Sequence, residues 1–68
     1  MIIDFQNAIY FFELAANQGN SNAQFSLGYC YEFGERVECN KQTARYFYVL
    51  AAKQGHYAGL AKFNQLKL

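Results

Sequence analysis

Two short stretches decide the fold: AANQGN at residues 15–20 and AAKQGH at residues 51–56. The second begins 36 residues after the first (51 − 15) and differs from it at two of six positions. A spacing of this size is typical of proteins built from repeated pairs of helices. The chain is therefore best interpreted as a repeat protein before any single residue is considered.

The likeness extends through the segment that precedes each stretch. Residues 6–19 and 42–55 agree at nine of fourteen positions. In both copies, apolar residues recur at spacings of three and four, which predicts an amphipathic helix. We therefore expect one face of each helix to pack into the core. In the first copy this face carries Ala8, Phe11, Phe12, Ala15 and Ala16, and in the second it carries Ala44, Phe47, Tyr48, Ala51 and Ala52.

Capping residues and glycines indicate where the helices begin and end. Side-chain oxygens just before a helix accept hydrogen bonds from its free amides, and glycine closes a helix in the left-handed conformation. The candidate caps are Asp4, Asn20 or Ser21, and Asn40, and the closing glycines are Gly19, Gly34 and Gly55. These signals predict helices at about 4–18, 20–33, 40–54 and 56–66. The expected fold is an all-α superhelix (solenoid) of about two helix-turn-helix repeats, with four antiparallel helices in a single domain over residues 1–68.

Composition and charge exclude several classes of function. The formal net charge is +1, whereas nucleic-acid binding needs clustered Lys and Arg. The sequence holds no run of about 18 apolar residues, so we expect no membrane span. The apolar start lacks a basic region and is interrupted by Asp4, which argues against a secretory signal. Two cysteines in such a chain favour a reducing compartment, and we expect a cytoplasmic location.

The stretch AQFSLGYCYEFGERVECNKQTARYFYVLAAKQGH, residues 23–56, resembles a Sel-one-like repeat, a relative of the tetratricopeptide repeats. The matching positions are Ala23, Gln24, Leu27, Gly28, Tyr31, Gly34, Val37, Ala44, Tyr48, Ala51, Ala52, Gly55 and His56. Arg36 departs from the pattern by replacing a loop glycine, and Asn64 stands where Gly28 stood one repeat earlier. We therefore expect the last helix to be the weakest, and the chain to be truncated relative to a full solenoid.

The resemblance implies a module that binds proteins or peptides as an adaptor or scaffold. The family has no shared catalytic residues and implies no cofactor. One cysteine-rich branch is linked to penicillin binding and weak β-lactamase activity through regularly repeated cysteine pairs. Cys30 and Cys39 do not repeat in this chain. We therefore expect a protein that is not an enzyme, with no catalytic, cofactor-binding or metal-binding residues.

A second aromatic stripe is the candidate partner-binding site. Phe25, Tyr29 and Phe33 are spaced four apart, and Ser26 lies beside them, on a different face from the residues of the repeat pattern. On the first helix of a repeat, such a stripe lines the concave side of a solenoid, where these proteins grip partners. The alternative is that the stripe packs against the first or the last helix.

The remaining reactive side chains receive structural interpretations. His56 lacks neighbouring ligands for a metal, so we expect a structural role for it. Cys30 and Cys39 would approach each other in a hairpin, and the default is two free thiols, with a disulfide left open. The acids near the loop at 32–38, Glu32 among them, are expected to be solvated charges.

Two classes of function remain open. The first is the protein- or peptide-binding module. The second is a structural self-association unit, or a fragment of a longer solenoid with no ligand of its own, because a solenoid needs about three repeats for independent stability. A homodimer through the terminal helices would fit this alternative. The residues expected on the outer face of the first helix are Ile2, Ile3, Phe5, Ile9 and Tyr10.

Overall fold

Four helices follow one another in the computed structural model, which describes residues 5–65 and their side chains from residue 8 onward. They are α1 (Phe5–Asn17), α2 (Ser21–Phe33), α3 (Lys41–Lys53) and α4 (Tyr57–Gln65). No strand occurs between residues 5 and 65. The predicted all-α fold is confirmed, and the helix ends within that range lie within one residue of the predicted ones. The predicted limits at 4 and 66, and the candidate cap Asp4, lie outside the described residues.

The helix starts follow the predicted capping chemistry. The Asn20 side chain accepts a hydrogen bond from the Ala23 amide at 3.0 Å. Asn40 caps α3 in the same way by accepting from the amide of Thr43 at 3.1 Å. These bonds satisfy amides that have no carbonyl partner within the first turn of the helix.

The cap of α4 is the lone histidine, which stands one repeat after Asn20 (20 + 36 = 56). His56 Nδ1 accepts from the Gly59 amide at 3.0 Å. Its Nε2 lies 3.0 Å from Oδ1 of Asn22, so Nε2 carries the proton and donates. The expected structural role of His56 is therefore a helix cap that also ties α4 to α2.

The turns use the left-handed backbone conformation. Gly34 ends α2 with φ 69°, and its amide donates to the carbonyl of Cys30. Arg36 adopts φ 68° in the following loop although it carries a Cβ. The loop thus keeps the conformation that a glycine would favour, at a cost of about 1 kcal/mol.

Each helix packs against the next one along the chain, and the core lies between them. The buried apolar residues are Ile9, Ala16, Ala23, Leu27, Cys30, Ala44, Tyr48 and Ala51. Tyr48 and Leu27 are the largest fully buried side chains. The Tyr48 ring lies directly on Gly28, where an added Cβ would sit 2.5 Å from Cε1 of the tyrosine. The glycine therefore allows α2 and α3 to approach closely.

The two copies of the repeat stripe differ in burial, which corrects two sequence predictions. Phe11 was expected in the core but is 62% exposed, and its counterpart Phe47 is half-buried under Tyr31, with ring centroids 5.9 Å apart. Ile9 was expected on the outer face but is buried in the core cluster. The physical reason is that α3 packs between α2 and α4, whereas α1 contacts only α2 closely within residues 5–65.

A buried glutamine joins three helix ends. Gln24 Nε2 donates to the carbonyl of Ala16, at the end of α1, at 3.1 Å. Its Oε1 accepts from Nε2 of Gln54, just after α3, at 3.0 Å. The amide is therefore satisfied on both sides, and it holds α2 in register with both neighbouring helices.

Candidate partner-binding site

A pocket of about 230 Å³ opens between α1, α2 and the loop that follows α2. Its lining residues are Phe12, Phe25, Ser26, Tyr29, Cys30, Glu35 and Arg36. The floor is aromatic and apolar, and the two charged residues come from the loop. This combination suits a peptide whose apolar side chain enters the pocket while its backbone contacts the charged loop.

Three of the four candidate site residues line this pocket. Phe25, Ser26 and Tyr29 face it, as expected from their shared side of α2. Phe33 is not part of the lining, but its ring lies next to that of Tyr29, with centroids 4.8 Å apart. Tyr29 is 42% exposed and Phe33 52% exposed. The structure therefore extends the pocket into an exposed aromatic ridge, which we define as Tyr29 and Phe33.

Phe25 also makes contacts inside the molecule. Its ring stacks on the imidazole of His56 at 5.1 Å and lies 5.5 Å from the Tyr48 ring. For this residue the alternative sequence interpretation, packing against other helices, holds in part. Phe25 thus forms one wall of the pocket and also fixes α4 against α2.

Four lining residues were not among the candidate site residues: Phe12, Cys30, Glu35 and Arg36. Phe12 had been assigned to the core because it lies on the repeat stripe, yet it is half-buried at the pocket wall. Glu35 and Arg36 reach the pocket because the left-handed turns at Gly34 and Arg36 fold the loop back. The departure of Arg36 from the family pattern was the one signal in the sequence that pointed to this loop.

The thiol in the pocket stays protonated. Burial raises the pKa of Cys30, Arg36 lowers it by a smaller amount, and Glu35 adds a further small rise. Because thiolate is the nucleophilic form, Cys30 contributes an apolar contact rather than reactivity. Cys39 is exposed, and both cysteines are free thiols.

Glu32 corrects the expectation that the loop acids are solvated, because it is only 7% exposed. One carboxylate oxygen accepts from the Tyr48 hydroxyl at 2.7 Å and pairs with the Lys62 ammonium at 3.2 Å. The backbone carbonyl of the same residue accepts from Nζ of Lys41 at 2.9 Å and from the thiol of Cys39 at 3.3 Å. Glu32 is therefore the polar centre that joins α2 to α3 and α4.

Two lysines flank the exposed ring at the end of α2. Nζ of Lys62 lies 5.1 Å from the centroid of Phe33, and Nζ of Lys41 lies 5.6 Å from it. Both distances fall within the range of cation–π attraction. We call Phe33, Lys41 and Lys62 the lysine-flanked ring.

Two other kinds of site were sought in the part of the chain that the structure describes. Residues 5–65 contain no group of three or more His, Cys, Asp or Glu side chains placed to hold a metal ion. None of the helices in that range has the length and apolar character needed to cross a membrane.

Sequentially stacked antiparallel helices with a 36-residue repeat define an α-solenoid of the helical-repeat class. The chain belongs to the Sel1 repeat family, which matches residues 2–20 and 21–56. Repeats of this family are protein-interaction modules and are generally non-catalytic.

The chain is also similar to a rat protein (Rattus norvegicus) named DAP3-binding cell death enhancer 1. The two are 42% identical over 54 residues, which is 79% of this chain and 11% of the relative. The chain thus spans about a tenth of the length of the curated relative that it matches. No solved structure matches the chain.

Proposed function

We propose that this protein is a non-catalytic binding module that holds a peptide segment of another protein, acting as an adaptor or scaffold. The observation that carries the proposal is the pocket of about 230 Å³, which continues into the exposed aromatic ridge of Tyr29 and Phe33. Exposed aromatic side chains beside a concave pocket are the kind of residue that carries most of the energy in protein interfaces. Ser26, at the pocket wall, supplies a hydroxyl that can donate to or accept from a ligand backbone.

The family and the rat relative support this proposal. Sel1 repeats bind proteins, and the relative is named for binding the protein DAP3. Because the matched region is a small part of that relative, the supported inference is binding of a protein, without naming which one. The two free thiols fit a reducing compartment, and we place the binding function in the cytoplasm.

The experiment is a selection of peptides from a random displayed library against the immobilised protein. Enriched peptides are then measured by fluorescence polarisation against variants. Ser26→Phe should fill the pocket and weaken binding at least tenfold. Tyr57→Ala is the matched control, because Tyr57 is an aromatic residue that is 88% exposed and lies outside the pocket. The proposal fails if no peptide is enriched, or if both variants bind equally well while circular dichroism shows both to be folded.

A second candidate function is self-association through α1. The pair Tyr10 and Phe11 has the same ring arrangement as its counterpart Tyr46 and Phe47, with centroids 5.4 and 5.2 Å apart. On α3 this arrangement is accompanied by a covering ring from Tyr31, but Phe11 is 62% exposed. A homodimer through α1 would cover Phe11 and bury its exposed ring.

Sedimentation over a concentration series tests the second candidate. The native protein should dimerise, and Phe11→Glu should remain a monomer with the same helical spectrum. Tyr57→Glu is the control, because it changes an aromatic residue to the same acid on an exposed part of α4. A native protein that is monomeric at every concentration up to the millimolar range would rule this candidate out.

A further inference from the structure

We propose that the bound peptide carries an acidic residue about three positions from the apolar residue that enters the pocket, and that the lysine-flanked ring receives the carboxylate. This inference rests on the proposed peptide-binding function and names the chemistry of the partner.

The first observation is the charge around Phe33. Two ammonium groups, from Lys41 and Lys62, lie within 6 Å of one ring centroid. Only the Lys62 ammonium is paired with a carboxylate there, that of Glu32, because Lys41 donates to a backbone carbonyl instead. Two positive charges held beside one negative charge leave a local excess of one positive charge on a partly exposed surface. A carboxylate is the complement of that surface.

The second observation is that the cluster is preorganised. The positions of Lys41 and Lys62 are fixed by their contacts with Glu32, and the same ring lies under both ammonium groups. Long lysine side chains normally lose rotamer freedom when they bind an anion, which weakens the binding. Here that ordering is already present in the free protein, which favours an ion pair that would otherwise be weak.

The third observation is the continuity with the pocket. Tyr29 lines the pocket and contacts the ring of Phe33, so the two binding features share one surface. Ser26 and Phe33 are seven residues apart, which corresponds to about 10 Å along a helix. An extended peptide covers that distance in about three residues.

The charges at the pocket also set the direction of the ligand. Glu35 and Arg36 both line the pocket, so it holds one charge of each sign, whereas the lysine-flanked ring carries the excess of positive charge. The acidic residue of the ligand therefore belongs at the Phe33 side of the ridge, and the apolar residue belongs in the pocket. The expected pattern is an aromatic or large aliphatic residue and, about three positions away, Asp or Glu.

The experiment uses the peptides enriched by library selection against the full chain. The acid in each peptide is changed to Gln and to Lys, and affinities are measured at 0.05 and 0.5 M salt. Because an exposed ion pair contributes up to about 1 kcal/mol, the Glu peptide should bind about two- to fivefold more tightly than the Gln peptide at low salt. The Lys peptide should bind more weakly still, and high salt should reduce all three differences.

Lys41→Gln and Lys53→Gln form the matched pair of protein variants. Both lysines are exposed and lie at opposite ends of α3. Lys41→Gln should lower the affinity for the Glu peptide two- to fivefold and leave the affinity for the Gln peptide unchanged. Lys53→Gln should change neither affinity. Enriched peptides without an acidic preference, or equal effects of the two variants, would overturn the inference. If peptides without an acidic preference still bind and Ser26→Phe abolishes that binding, the proposed function stands and only the acidic preference is wrong. If no peptide is enriched, both the proposed function and this inference are wrong.

Discussion

Replacing Tyr48 by Phe removes one hydroxyl from the centre of the molecule and keeps the buried ring. That hydroxyl donates to Oε1 of Glu32 at 2.7 Å, and Glu32 is only 7% exposed. The other partner of this carboxylate oxygen is Lys62, at 3.2 Å, and the substitution does not alter it. The variant therefore keeps the ion pair and loses one buried hydrogen bond to a charged group.

The structure gives the expected size of this effect. A hydrogen bond to a charged group contributes about 1.5–3 kcal/mol. For a domain of this length, 1 kcal/mol shifts the melting temperature by about 4–8 °C. The Tyr48→Phe variant should therefore melt about 6–24 °C below the native protein. Tyr46→Phe removes the same hydroxyl from an exposed ring on the same helix, and it should change stability by no more than about 0.5 kcal/mol.

The assays are thermal melting and urea unfolding, both followed by circular dichroism, at pH 7 and then at higher pH. Burial, together with the hydrogen bond to Glu32, raises the pKa of Tyr48. In the unfolded chain a tyrosine ionises at about pH 10. The unfolded state therefore loses this proton first, so the stabilisation is complete below pH 10 and is lost as pH rises further. The difference in the free energy of unfolding between the native protein and Tyr48→Phe should therefore decrease above pH 10. A variant as stable as the native protein at pH 7 would refute the buried network.

Three further predictions concern thiols, packing and capping. Cys39 should react quickly with a thiol reagent and Cys30 only on unfolding. Because burial raises the pKa of Cys30, the free energy of unfolding should fall as pH rises above about 8.5, and this pH dependence should disappear in Cys30→Ala. The same pH dependence in both proteins would contradict this. Ala51→Leu should cost about 1–3 kcal/mol in thermal melts, and Ala15→Leu less, because Ala51 is fully buried and Ala15 half-buried. Asn40→Ala should cost about 1 kcal/mol and Asn40→Asp much less, and equal losses in urea unfolding would contradict the cap.

The helices and their ends could be predicted from the sequence because the relevant physics is local. A cap such as Asn40 acts on an amide three residues away, and a closing glycine such as Gly34 acts within one turn. The 36-residue repeat then placed the helix pairs, since the two copies carry the same residue at nine of fourteen positions.

The sequence could not show which faces of the repeat are covered. Phe11 and Phe47 occupy equivalent positions, yet only Phe47 lies under a ring from another helix. Glu32 was misjudged for a similar reason, because its partners Tyr48 and Lys62 lie 16 and 30 residues away (48 − 32 and 62 − 32). Burial and charge pairing depend on the stacking of helices, and residue types alone do not specify it.

Three of the four candidate site residues line one pocket because helical spacing fixes which side chains share a face. The pocket wall formed by Phe12 and the charged residues Glu35 and Arg36 depends on another helix and on a loop conformation. Those contributions come from tertiary structure, so a pattern on α2 could not reveal them.

The close contact between Gly28 and the Tyr48 ring has a consequence for symmetry. One repeat later the glycine is replaced by Asn64, and at Gly28 even a Cβ would lie 2.5 Å from the tyrosine ring. Phe12 is the counterpart of Tyr48 one repeat earlier (48 − 36). The Phe12 ring of a second copy therefore cannot pack on α4 as the Tyr48 ring packs on α2. Identical chains are thus barred from joining head to tail in this geometry, which would produce an open filament. Pairing through α1 about a two-fold axis would instead yield a closed dimer.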